Sequence, residues 1–213
     1  MEKIKLKRII TMENKKNTTL VLTFLFIMLY SISGSFQIGS IRYLPLDDFE
    51  MGIPFIVESI WVYILLYPLL FWSIFSYKNE MNFNKVLYSF LIVSVISITC
   101  FQLIPVAYPR EFFPLPRYND PSVNMFFKIR YFDSPLNCFP SLHVSLCFLF
   151  SFFHWDESKK LFMASTILSI AISISTLTTK QHYIADIISG FILAIIVFFV
   201  VRNYTEITQS HEL

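Results

Sequence analysis

The sequence predicts an all-α fold, a six-span transmembrane helical bundle with both termini on the cytoplasmic side, and three observations lead there. Of the 213 residues, 55% are hydrophobic and only 15% charged, about half the charge that a soluble surface carries. Six apolar runs approach or exceed the ~20 residues that a helix needs to cross the hydrocarbon core, and they are continuous rather than alternating, which excludes barrel strands. Lastly, six of the 17 Lys and Arg residues lie within the first sixteen positions, a bias that holds the N-terminus inside.

The elements follow in order. Residues 1–17 read as a basic cytoplasmic tail, 18–201 as the six-helix membrane domain and 202–213 as a second cytoplasmic tail. No basic, aromatic-rich module follows the first tail, so a nucleic-acid partner is not expected. Thr18–Gly34 forms the first span, uncleaved because five further runs follow it. Ile53–Phe75 and Val86–Ala107 are spans two and three, Cys138–Trp155 is the fourth, and Leu161–Thr179 and Ile184–Val201 complete the bundle. Pro140 suits the first turn of the fourth span and Ser141 its N-cap.

This topology places eleven Lys and Arg residues inside and six outside. Four of the six, Arg110, Arg117, Lys128 and Arg130, crowd into the proline-rich loop between spans three and four, against the general bias. Cations gathered there imply an anion to meet. In the first outer loop, Asp47, Asp48 and Glu50 have no His or Cys company and read as a solvated charge cluster, while Glu58 reads as a helix cap. Cys100, Cys138 and Cys147 show no metal-ligand spacing.

Two of the four histidines, His143 and His182, stand at the mouths of apolar spans. An ionisable group at that depth is costly against lipid, so both must face the bundle interior or a wet cavity. Asp186 follows His182 by four positions, which on a helix puts the carboxylate within reach of one imidazole nitrogen. That bond fixes the tautomer and leaves the other nitrogen free as nucleophile or base. The capped start of the fourth span offers free N–H groups suited to an anion, with His143 beside them. Counting spans brings Arg110, Arg117, His143, Lys180, His182 and Asp186 to one outer level. His154 and His211 fall on the cytoplasmic side and receive no role.

At these residues the chain resembles the type-2 phosphatidic acid phosphatase superfamily. Arg110 and Arg117 stand at the two cationic positions of its first motif, with Tyr118 where the family has Pro. Pro140, Ser141 and His143 match the second, with Leu142 in place of Gly. Ser175, His182 and Asp186 match the third, with Thr176 in place of Arg. Leu142, and Tyr183 after His182, are similar to the branch holding inositol phosphorylceramide and sphingomyelin synthases.

The resemblance implies a membrane lipid phosphatase acting on a lipid phosphate or pyrophosphate, with catalytic His143, His182 and Asp186. His182 would form a phosphohistidine, Asp186 would orient it and His143 would protonate the leaving oxygen. Arg110, Arg117, Ser141 and Lys180 would bind the phosphate, with neither metal nor other cofactor implied. A lipid head-group phosphotransferase and a non-enzymatic transporter or scaffold stay open as alternatives. The expected location is a bacterial inner membrane, with the site on its outer face and a membrane lipid phosphate as substrate.

Overall fold

The computed structural model describes residues 3–11, 13–116 and 120–208. Among these the fold is mostly helical. The helices are α1 (Lys15–Ser33), α2 (Asp48–Gly52), α3 (Ile60–Tyr63), α4 (Leu66–Ser76), α5 (Glu80–Leu103), α6 (Pro121–Phe132), α7 (Leu142–His154), α8 (Lys159–Thr178) and α9 (Ile184–Tyr204). Four of them, α1, α5, α8 and α9, are long and apolar enough to cross a membrane.

Two shorter apolar stretches, Val57–Ser73 and Leu142–His154, lie where the second and fourth spans are expected. The second is broken: a 3-10 turn at Val57–Ser59 leads into α3, and a turn separates α3 from α4. The fourth is short because it is the centre of the bundle. Every α7 residue except Phe152 is buried, and α7 packs against α5, α8 and α9. A helix that is apolar all round belongs inside. At 13 residues it is about 20 Å long, less than the ~30 Å of a hydrocarbon core.

By contrast α1 is peripheral, with Leu20, Val21, Phe24, Leu25 and Met28 exposed along its length. Such a face suits lipid rather than water. An apolar groove of about 470 Å³ runs between α1, α4 and α5, lined by residues such as Phe26, Phe71 and Phe90.

Two features have no counterpart in the sequence pattern. In the two tails, Ile4–Lys7 (β1) and Thr205–Thr208 (β2) pair as parallel strands with Lys5 opposite Glu206. Asn84 on α5 anchors the following chain, accepting from the Ile9 and Ile10 N–H groups at 2.8 and 2.9 Å. At the opposite end three connecting segments knit together, with single bridges joining Arg42 to Val106 and Val106 to Asn137. Helix α6 starts beyond Asp120, whose side chain accepts from the Ser122 N–H at 2.7 Å.

His154 lies at the tail end of the bundle, with its ring nitrogens 2.7 Å from the Ser76 hydroxyl and 3.0 Å from that of Ser165. It is a satisfied core histidine.

Candidate active site

The site is built where α7 and α9 begin side by side. Ser141 caps α7 as expected, its hydroxyl accepting from the Val144 N–H at 3.4 Å. Pro140 does not occupy the first turn; it stands one residue before the cap, after a cis peptide bond. The Ser141 N–H donates to the Asp186 carbonyl at 3.0 Å, tying one helix start to the other. Gly190 permits this closeness, since a Cβ there would stand 2.5 Å from the Ser141 carbonyl oxygen.

His143 is the second residue of α7 and is 7% exposed. Its ring lies against Tyr63, centroids 4.4 Å apart, and its Nε2 has no hydrogen-bond partner among the described residues. The ring of His182 stands 6.2 Å from it. His182 is itself 4% exposed, and its Nδ1 is 3.2 Å from Oδ2 of Asp186. A carboxylate only accepts, so this contact puts the proton on Nδ1 and leaves the Nε2 lone pair free.

The pair meets by a different route from the one the spacing suggests. His182 precedes α9 instead of lying on it, and Tyr183 is the N-cap. The Asp186 carboxylate reaches back to the Tyr183 N–H at 2.9 Å, the bond an acidic third residue makes in a capping box. One carboxylate therefore caps the helix and orients the histidine.

Arg110 approaches with its Nη1 2.7 Å from the Asp133 carbonyl oxygen and its Nη2 3.7 Å from the Asp133 carboxylate. Its Nε has no partner among the described residues. Arg130 lies over the Phe126 ring and donates to the Phe113 carbonyl at 3.1 Å. Burial first, and then the charge of Arg110, lower Arg130 to about 10, which leaves it cationic at neutral pH. Arg117 lies outside the described residues.

The Lys180 ammonium donates to the Glu50 carbonyl at 2.8 Å and sits 4.7 Å above the Phe113 ring. Its backbone is left-handed, φ 51°, a conformation that non-glycine residues seldom take. Burial lowers its amine below the usual lysine range, with Glu50 partly opposing the shift.

Glu50 departs from the solvated reading. It is 8% exposed, and its carboxylate accepts the Ile184 N–H at 2.7 Å. Asp47 and Asp48 stay at the start of α2, where the Asp47 side chain accepts from the Glu50 N–H. Glu58 is exposed.

Asp133 carries no sequence signal of its own, yet it is buried. It accepts from the Tyr30 hydroxyl at 2.5 Å and the Tyr63 hydroxyl at 2.7 Å. Burial alone would raise its carboxyl, but Arg110, then His143, then the two tyrosine hydroxyls outweigh it and hold the group below the usual aspartate range. Cys138 is buried beside the pair, with ligand atoms of Cys138, His182 and Asp186 all within 4.8 Å of one another. Its thiol donates to the Pro135 carbonyl at 3.0 Å.

A family model described as the PAP2 superfamily matches residues 54–200, well over half of the chain. The chain belongs to the PAP2 superfamily. Neither the curated proteins nor the solved structures yield a match. PAP2 chemistry is of the phosphatase type on lipid phosphates, and four long apolar helices are compatible with a PAP2 protein integral to the membrane. Ser175 and Thr176 turn their hydroxyls back onto the carbonyls of Ile172 and Ser173.

Proposed function

We propose that this PAP2 protein is a six-span membrane lipid phosphatase that releases phosphate from a lipid phosphate or pyrophosphate through a phosphohistidine at His182, without a metal. The observation that carries the reading is the pair of buried imidazoles 6.2 Å apart, one anchored by Asp186 and the other with a free Nε2.

In the first step Nε2 of His182 attacks phosphorus. The bond from phosphorus to the lipid oxygen breaks, and His143 gives its Nε2 proton to that oxygen. Asp186 holds the Nδ1 proton and stabilises the positive ring. In the second step water attacks phosphorus, the P–N bond breaks, and His143 takes the proton from water. Charge on the equatorial oxygens is met by Arg110, Arg117 and the amides at the start of α7 behind Ser141, where phosphoryl transfer gains most of its stabilisation. Lys180 is the further cation of the phosphate-binding set.

The pairing of β1 with β2 supports placing both termini on one side, and the basic tail makes that side the cytoplasm. The histidines then open to the outer face, for which a bacterial inner membrane is the setting.

The test is phosphate release by purified protein, with chelator present, from phosphatidic acid, phosphatidylglycerophosphate and a polyprenyl pyrophosphate. Chelator-resistant release that His182→Ala abolishes supports the phosphatase. Head-group movement between lipids without release identifies a phosphotransferase, and neither activity on any lipid removes the enzymatic reading.

A further inference from the structure

We infer that Asp133 is a positioning residue of this site, holding Arg110 toward the phosphate and seating the His143 ring through Tyr63. The inference rests on the histidine phosphoryl-transfer reading and adds to it a carboxylate from outside the three motifs.

Asp133 closes the C-terminal end of α6 and grips Arg110 twice. Its main-chain carbonyl takes Nη1 at 2.7 Å, and its carboxylate faces Nη2 at 3.7 Å. With those nitrogens engaged, Nε is the Arg110 donor left without a partner among the described residues. A guanidinium fixed on one edge presents the rest of its fork in a set direction. The other link runs to the acid. Oδ2 accepts the Tyr63 hydroxyl at 2.7 Å, and the Tyr63 ring lies 4.4 Å from that of His143. A tyrosine pinned at its hydroxyl cannot slide, so the imidazole packed on it keeps its aim across to His182.

Oδ1 meets a separate tether, the Tyr30 hydroxyl at the end of α1. This contact ties the peripheral helix to the carboxylate and touches neither Arg110 nor His143, so it distinguishes positioning from mere support. A fold-supporting aspartate would make all its partners matter alike. A positioning one makes Tyr63 and Arg110 matter to phosphate and Tyr30 matter to stability.

Orthovanadate, which mimics the five-coordinate phosphorus of the transition state, is the probe, since it needs no knowledge of the lipid. Its affinity is measured by calorimetry on detergent-purified wild type, Asp133→Asn, Arg110→Ala, the double variant, Tyr63→Phe and Tyr30→Phe, with melting temperatures taken on the same samples. We expect Asp133→Asn and Arg110→Ala each to weaken vanadate by about 30-fold, the range of a charge-assisted contact. The double variant should be no weaker than Arg110→Ala, since the two act as one unit. Tyr63→Phe should lose about 10-fold, and Tyr30→Phe should melt earlier while keeping its affinity within about threefold.

Wild-type affinity in Asp133→Asn, or single losses that multiply in the double variant, overturns the inference. If Asp133→Asn does not fold, unchanged affinity in Tyr63→Phe overturns it equally. Vanadate that ignores the wild type, or binds His182→Ala as tightly, removes the phosphoryl-transfer reading and this inference with it.

Discussion

Glu50 and Lys180, 130 positions apart, meet at the end of the bundle that holds the two histidines, where the Glu50 carbonyl accepts from the lysine ammonium at 2.8 Å. The Glu50 carboxylate meanwhile accepts the Ile184 N–H at 2.7 Å. One residue of the connection between α1 and α3 therefore holds both ends of the short segment that carries His182. Replacing Glu50 by Ala strands a helix-start donor that is partly shielded from water, a loss of about 1–3 kcal/mol. The melting temperature should fall and phosphate release should drop by about tenfold, whereas Glu50→Gln, which keeps an acceptor, should retain most of both. Equal behaviour of the two variants would sever this link.

Asp186→Asn should slow turnover by about 10³-fold, the scale on which an oriented base contributes. An amide can leave the proton on the wrong nitrogen of His182 while hardly disturbing the cap on Tyr183. The melting temperature should change little, and trapping of acid-labile phosphoprotein should be lost.

Gly190→Ala tests the contact between helix starts. The new methyl would lie 2.5 Å from the Ser141 carbonyl oxygen and 3.1 Å from the Ser145 hydroxyl, so α7 and α9 must part. Overpacking of this kind costs about 1–3 kcal/mol, and the separation falls where His143 and Asp186 are held. Stability and turnover should decline together. Intact activity would mean that the helices adjust without moving the histidines.

Acid sensitivity follows from Asp133. Its folded carboxyl lies below the usual aspartate range, so the unfolded chain takes up the proton first and stability rises with pH across that interval. The contribution is full above the ordinary aspartate value of about 3.9 and disappears as pH falls through the lower folded value. Thermal denaturation of Asp133→Asn at a series of pH values should show a lower plateau near neutrality and a flatter acid limb. Parallel curves for the two proteins would contradict this.

Pairing of the tails predicts a cross-link. Lys5 and Glu206 are strand partners, so Lys5→Cys with Glu206→Cys should form a disulfide under mild oxidation. In inverted vesicles, but not in intact cells, an impermeant thiol reagent should block it if the pair lies in the cytoplasm. Blocking from outside the cell would reverse the topology.

The sequence by itself determined the material of this protein. Long apolar runs can be satisfied in lipid only as helices, so α1, α5, α8 and α9 were legible from composition and length. The cap at Ser141 and the His182–Asp186 pair were legible because each depends on neighbours a few positions away. Tertiary structure alone decided what lies far apart in the chain. α7 reads as an ordinary span, and only its encirclement by α5, α8 and α9 makes it a short buried axis. Glu50 reads as solvated among other acids until folding sets it against Ile184. Asp133 is one polar residue in a loop until Tyr30, Tyr63 and Arg110, from three other segments, converge on it. A hydrogen bond across a hundred residues leaves no periodicity, because its partners are chosen by packing rather than by spacing.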